Sequence, residues 1–350
     1  MIGGIKKSSK ASLLLLIIFG IQGFFCSVVQ SATGRPWTWC FKKKFITTEL
    51  RDGGKAFIKK NTPRFTQLIF SWNAMMPEQG AFQFWVRVRY ADSKIWSGWH
   101  RMAEWNKNGG KTFYSKHDDG LEYCYVRLEL PKGREADSFH IKATASKGAS
   151  LESLKLLTVS LSNIQNFEAE NARSYNTLPS VAIDGVPEWS QMLVGHPRAP
   201  SICSPTSLCT LASYVSNKDL HPFDFANGVF DQGLKIYGSW SCNTAYAYHA
   251  TDGSVMYHVQ RLHDFSALYG YLQRGIPVVV SVRGALPGAP KTYHDGHLMT
   301  IIGYDARNRS IICHDPRLLS NIETQYPLNK FLQAWENSNR LAYIAQPFRS

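Results

Sequence analysis

Absences narrow the sequence first. No segment repeats at a fixed period and no low-complexity block interrupts the chain, which excludes a solenoid and makes disorder a poor description. Cysteine is sparse, at seven in 350 residues, and one of these, Cys26, falls in the leader-like N-terminus. The remaining Cys40, Cys124, Cys203, Cys209, Cys242 and Cys313 are too few to make a disulfide scaffold of so long a chain, although a bridge such as Cys40–Cys124 is open to an exported protein. No Cys-x-x-Cys or His-x-x-x-His pair occurs, so metal ligation by Cys203, His297, Cys313 or His314 has little support, and no cofactor is implied. The lysines at 42–44, 59 and 60 sit on strand-like segments outside any nucleic-acid motif, and no nucleic-acid partner is expected.

What is present begins with an export signal. Lys6, Lys7 and Lys10 form a basic start, Ala11 to Gly20 an apolar core, and Val29-Gln-Ser31 a cleavage region, so residues 1–32 read as a signal peptide. An uncleaved anchor is the alternative, opposed by the polar Gln22, Ser27 and Gln30. Phe24 and Phe25 are too bulky for a lipid-attachment box at Cys26. No other stretch is apolar enough to span a bilayer, and no stable transmembrane anchor is expected after cleavage. Export places the protein in the periplasm, at the cell surface or outside the cell. The net charge of +13 includes the three leader lysines, leaving +10 for a chain that would meet acidic surfaces such as cell-wall polymers or anionic lipid. A solvated basic face is the plainer reading.

Two halves then differ in grammar. Over residues 33–163, short runs such as Gln67-Leu-Ile-Phe-Ser-Trp72 and Gln83-Phe-Trp-Val-Arg-Val-Arg-Tyr90 predict an antiparallel β-sandwich. Side chains alternate along a strand, so Phe84, Val86 and Val88 should face a core while Trp85, Arg87 and Arg89 face water. Trp72, Trp85, Trp96, Trp99 and Trp105 crowd this half; they serve either packing or stacking on a glycan. Residues 164–179 are polar and end in Leu-Pro-Ser, as a linker does. From 180 to 350 a helix after Cys203, another near Asp264–Arg274 and late strands give an α+β order.

Within that second half, Ser201-Ile-Cys-Ser-Pro-Thr-Ser207 puts Cys203 at a predicted helix start, with Ser and Thr available as caps and Pro205 tolerated in the first turn. The positive end of a helix dipole favours a thiolate there, whereas Cys209 sits among Leu208, Leu211 and Ala212 as a packing residue. A nucleophile needs a base and a group that orients the base. His297 opens the apolar run Leu298-Met-Thr-Ile-Ile302, and Asp315 ends the next strand, beyond the turn 305–309. His294 and His314 are poorer candidates, one in a loop and one facing the opposite side of its strand. Gln191, a dozen residues before Cys203, offers an amide donor for an oxyanion. Taken singly, a buried Cys, a core His and an Asp-Pro turn are ordinary structure; only the ordered set points to a thiol site.

Those motifs carry a resemblance. Residues 179–347, through Gln191, Cys203-Ser-Pro-Thr-Ser207, Asp295-Gly-His297 with Gly303-Tyr, and His314-Asp315-Pro316, resemble the secreted C39-like cysteine peptidase family, a papain-like fold. The preceding half resembles the β-sandwich that accompanies some exported bacterial members. The resemblance implies an all-β, jelly-roll-like sandwich followed by an α+β papain-like cysteine peptidase fold. It also implies Cys203 as nucleophile, His297 as base and later acid, Asp315 as orienter and Gln191 as oxyanion donor. The stretch Trp240-Ser-Cys-Asn-Thr-Ala-Tyr246 is similar to the family's substrate-side loop, which makes Trp240 and Asn243 substrate contacts. The expected activity is hydrolysis of a peptide or peptidoglycan-like amide through an acyl-enzyme, with the sandwich as a docking module for a glycan or cell-surface ligand. The competing class is a non-catalytic surface or glycan-binding protein on the same scaffold.

Overall fold

The computed structural model describes residues 35–45, 54–146 and 148–347; the signal peptide expected at 1–32 lies outside them. The first half contains β1 (Thr38–Lys44), β2 (Gly54–Lys59), β3 (Gln67–Ala74), β4 (Ala81–Tyr90), β5 (His100–Asn106) and β6 (Gly109–Thr112). It continues with β7 (Ser115–Lys116), β8 (Glu122–Cys124), β9 (Arg127–Glu129), β10 (Ala136–Ser146) and β11 (Leu154–Ser162). These strands make two antiparallel sheets, ordered β1-β11-β3-β9-β8-β7 and β2-β10-β4-β5-β6. Phe70 and Trp72 from one sheet and Phe84, Val86, Phe139 and Ile141 from the other share a single core. Strand β4 alternates as its sequence dictates: Phe84, Val86 and Val88 are buried, while Trp85, Arg87 and Arg89 lie on the half-exposed face.

The tryptophans divide by the same rule. Trp72 and Trp105 belong to the core, whereas Trp96 and Trp99 lie against the Arg87 guanidinium, with ring centroids 5.1 and 4.7 Å away. Lys142 also approaches Trp99, at 5.2 Å. Both rings are thus held by the protein's own cations while remaining partly exposed. Cys40 and Cys124 are free thiols on β1 and β8, four strands apart in one sheet, roughly 19 Å at the usual strand spacing, so they cannot bridge.

The second half contains β12 (Val181–Ala182), α1 (Cys203–Ser216), α2 (Pro222–Val229), α3 (Trp240–Ala250), β13 (Val255–Arg261) and α4 (Phe265–Leu272). Then follow β14 (Val278–Gly284), β15 (Tyr293–Asp305), β16 (Ser310–His314), β17 (Glu323–Pro327), α5 (Leu328–Glu336) and β18 (Leu341–Pro347). The strands form one antiparallel sheet, β13-β18-β14-β15-β16-β17, with β12 paired to β15. The molecule is thus mostly β-sheet with few helices, and among the described residues no helix is long and apolar enough to cross a membrane.

Strand β3 departs from the expected wet outer face, because all eight of its residues are buried. Strand β13 is the edge of the second half's sheet, and its outward main-chain groups meet polar side chains of the first half. Asn73 donates to the Tyr257 carbonyl at 2.6 Å and accepts from the Tyr257 N–H at 2.7 Å, imitating a strand partner. Ser71 accepts from Val259 N–H at 3.2 Å, and Ser160 of β11 accepts from Arg261 N–H at 3.2 Å. Ile69 and Leu156 add apolar contact on the same face. Residues that look solvent-facing in sequence therefore seal a sheet edge that would otherwise expose unpaired donors.

The polar connection at 164–179 is docked too. Glu170 accepts from Tyr175 Oη at 2.5 Å and Phe265 N–H at 3.0 Å and pairs with the buried Arg340 at 2.9 Å, which also binds Glu336 at 2.8 Å. Glu170 is spent on this cluster, while Glu168 and Arg173 of the connection are exposed, and residues of both halves form one compact unit.

Asn73→Ala would leave both main-chain groups of Tyr257 without partners in a dry interface, at a cost of about 2–4 kcal/mol. Chemical denaturation should show an earlier midpoint with an unchanged slope. A loss under about 0.5 kcal/mol would mean that this clamp does not hold the halves together.

Candidate active site

Cys203 is the first residue of α1, and a short turn at Ala199–Ser201 delivers the chain to it. No side chain caps the helix, contrary to the expected role of Ser and Thr. The hydroxyls instead fasten α1 to its neighbours. Ser207 Oγ donates to the Leu298 carbonyl at 3.0 Å, and Thr300 Oγ1 donates to the Ser207 carbonyl at 3.0 Å, tying α1 to β15 one residue beyond His297. Ser204 Oγ donates to Asn243 Oδ1 at 3.0 Å and lies 2.9 Å from Tyr343 Oη, tying the same turn to α3 and β18. Pro205 does occupy the first turn, where its missing N–H costs little.

His297 lies inside β15, which begins four residues earlier than its apolar run suggests. Gly296 just before it has φ of 91°, a conformation glycine adopts without a Cβ penalty. Strands β15 and β16 are paired through Thr300↔His314 and Ile301↔Cys313, and Asp315 directly follows β16. Asp315 Oδ1 consequently lies 2.7 Å from His297 Nε2, with the carboxylate fully buried. That leaves Nδ1 of the same ring uncommitted, and the His297 side chain acts electrostatically on Cys203. His294 is exposed on the strand, and His314 is turned away to the Pro187 carbonyl at 3.1 Å and Glu323 at 3.6 Å.

The electrostatics follow from this geometry. Burial alone would raise the Cys203 thiol, but the hydrogen bond and charge of His297, with the N–H groups of Leu298 and Ser204, hold it below the ordinary thiol range. Burial alone would strip the proton from His297, yet hydrogen bonds to Asp315 and Cys203 outweigh it and raise the imidazole to about 9. Asp315 is likewise held below the ordinary carboxylate range against its burial, by His297, the Arg317 N–H and Tyr326. These shifts describe a thiolate beside an imidazolium, both backed by a buried carboxylate. Cys209 is its opposite, inside α1 with its sulfur on the Leu220 carbonyl and burial pushing it up to about 12.

Gln191 is brought to the same corner. Its N–H donates to the Pro316 carbonyl at 2.8 Å, beside Asp315, and its Nε2 donates to the Ala199 carbonyl at 2.7 Å, in the turn before Cys203. The second Nε2 hydrogen has no acceptor among the described residues. The eleven residues between Gln191 and Cys203 are thus folded into a loop that Arg317 also holds, through the Pro200 carbonyl at 3.4 Å.

Of the two expected substrate contacts, Asn243 is corrected. It is fully buried, accepts from Ser204, and donates to the Tyr237 and Ser239 carbonyls at 2.8 and 2.9 Å, so its amide is consumed in positioning the turn that bears Cys203. Trp240 is half-buried at the start of α3, with its ring 6.0 Å from the Arg127 guanidinium of the first half. Two residues escaped sequence reasoning. Tyr293 stacks on His297, centroids 4.0 Å apart and planes within 15°, and Tyr326 reaches Asp315 from β17. Spacing of four along one strand could have flagged Tyr293 as a same-face neighbour of His297; nothing local could have flagged Tyr326. Among the described residues no cluster of three or more His, Cys, Asp or Glu side chains is arranged to hold a metal.

Comparison with known proteins follows the same division of the chain. Residues 183–343 match the Peptidase C39 like family, and residues 56–127 match the Peptidase C39 N-terminal domain. Among solved structures the chain is similar to a Bacillus anthracis protein, by name a C39-like peptidase, at 19% identity over 49% of this chain and 98% of that one, with a TM-score of 0.38. It is also similar to xylellain, a cysteine protease from Xylella fastidiosa, at 12% identity over 54% and 94% of the two chains, with a TM-score of 0.32. No curated protein matches it. The chain thus carries a Peptidase C39 like domain over residues 183–343, behind a segment, residues 56–127, that matches the Peptidase C39 N-terminal domain.

Proposed function

We propose that the protein is an exported cysteine peptidase or related amide hydrolase of papain-like architecture, acting on a peptide or peptidoglycan-like substrate. The observation that carries this reading is the 2.7 Å bond from His297 to the buried Asp315 beside a half-buried Cys203 whose thiol the His297 side chain holds below its ordinary range. The Cys203 thiolate attacks the scissile carbonyl carbon, and the carbonyl π electrons move onto oxygen. That oxyanion is received by the Cys203 main-chain N–H and the uncommitted N–H of Gln191. The intermediate collapses as His297 Nδ1 gives its proton to the leaving amine, leaving an acyl-thioester. Neutral His297 then takes a proton from water, whose oxygen attacks the thioester; the acid departs and the thiolate and imidazolium are restored.

Export rests on the basic and apolar leader at residues 1–20. Docking on a cell-surface ligand falls to the outer face of the five-stranded sheet, since the other sheet's outer face is covered by β13 and α3.

Thiolate absorbance in the ultraviolet should appear below the ordinary thiol range in the intact protein. In His297→Ala it should return toward that range, because desolvation is then opposed only by the Leu298 and Ser204 N–H groups. Epoxide or iodoacetamide labelling of Cys203 should slow in parallel; labelling that ignores His297 would contradict the hydrolase reading.

Turnover of a fluorogenic peptide library should fall as pH rises through about 9, where His297 loses the proton needed by the leaving amine. The linked stability has the same sign: with the folded-state value raised, the stabilisation is fully present below the ordinary histidine range and is lost through about 9. Gln191→Ala should lower kcat by about 100- to 1,000-fold with the thiolate signal intact; an unchanged kcat would remove Gln191 from the oxyanion site.

A further inference from the structure

Asp315 has more partners than orienting one imidazole requires. Its Oδ1 takes His297 Nε2 at 2.7 Å and the Arg317 N–H at 3.0 Å, while its Oδ2 takes Tyr293 Oη and Tyr326 Oη, each at 2.8 Å. A carboxylate offers about four lone-pair sites, so all are filled, and the group is fully buried. Both tyrosines are also buried and come from different strands, β15 and β17. Tyr293 makes a second contact, its ring lying nearly parallel to the imidazole.

From this geometry we infer that Tyr293 and Tyr326 are positioning residues for the thiol site: their hydroxyls lock the Asp315 carboxylate as an anion with only Oδ1 turned to His297, and the Tyr293 ring holds the imidazole plane so that Nδ1 faces Cys203. The inference rests on the thiol-hydrolase reading and adds to it a second layer of residues that act through Asp315 and His297. With both lone pairs of Oδ2 filled, the carboxylate cannot rotate to another donor. With four donors it does not compete for the His297 proton, which stays on the ring for the leaving group. A hydroxyl removed from this dry pocket leaves part of the negative charge without a donor, which favours the protonated acid. Once Asp315 takes a proton, the imidazolium loses its counter-charge and the thiolate pair collapses. The groups that face the carboxylate are His297 and Tyr293 from β15, Tyr326 from β17, and Cys313 and Arg317 from its own segment. Cys203 of α1 lies beyond the imidazole, and Glu323 of β17 acts on Cys313.

The test is the rate of iodoacetamide alkylation at Cys203 against pH, with the site confirmed by peptide mass spectrometry. It compares wild type, Tyr293→Phe, Tyr326→Phe, the double Phe variant, Tyr293→Leu and His297→Ala. The Phe variants keep ring volume and the stack, so they isolate the hydroxyls. The acid limb should move upward by about one pH unit in the double variant, a tenfold change in a proton-binding constant, with smaller moves in each single variant. Tyr293→Leu, which frees the ring, should slow alkylation about tenfold on the plateau as well. Phe-variant profiles superposed on wild type, even with lower thermal stability, would reduce the tyrosines to packing residues and overturn this inference alone. A wild-type thiol no faster than that of His297→Ala would instead overturn the thiol-hydrolase reading, and this inference with it.

Discussion

A carboxylate removed entirely from water is the constraint around which the second half is organised. An unpaired buried charge costs several kcal/mol or more, on the order that unfolds a domain. Asp315 survives because β15 supplies His297 and Tyr293, β17 supplies Tyr326, and the chain after β16 supplies the Arg317 N–H. The requirement fixes the register of three neighbouring strands at one point. It also fixes the imidazole, which acts on Cys203 at the helix start that Ser204, Ser207 and Thr300 bind to the sheet. The perturbed Cys203 and His297 are thus consequences of satisfying one anion, and the site is as rigid as the sheet that solves that problem.

The two halves meet by the same logic applied to the backbone. Strand β13 ends the sheet, and an exposed edge would present the N–H groups of Tyr257, Val259 and Arg261 without partners. Asn73, Ser71 and Ser160 provide them with acceptors, and Arg261 itself is satisfied by Gln67 at 3.0 Å and by the Ser338 and Asn339 carbonyls at 2.8 Å. Helix α3 continues the contact, since Cys242 and Ala245 belong to the core of the first half while Asn243 supports the turn bearing Cys203. The N-terminal sheets are therefore a wall of the second half, reaching the vicinity of the site through one helix.

Much of this was legible in the residues. Alternation of Phe84, Val86 and Val88 with Trp85, Arg87 and Arg89 fixed which face of β4 is core, because period two is a property of any strand. The Cys203, His297 and Asp315 candidates could be ordered along the chain, since a helix start and two successive strands are local features. What sequence could not supply was partnership at long range. Asn73 and Ser71 look like wet residues until β13, almost two hundred residues later, lies on them. Asn243 looks like a substrate contact until both ends of its amide are counted. Nor does local sequence show that Arg87 of β4 lies against the rings of Trp96 and Trp99. Tyr326 joins Asp315 only through the pairing of β16 with β17.

The central claim is that Cys203 carries the acyl group during turnover. Acid-quenched intact-mass spectrometry during hydrolysis of an activated peptidyl ester tests it most directly, because the thioester survives the quench. The expected result is a transient mass increase of one acyl group, mapped to Cys203, which rises early and decays as substrate is exhausted. Steady hydrolysis with no covalent species, or an adduct mapped to Cys40 or another thiol, would contradict it.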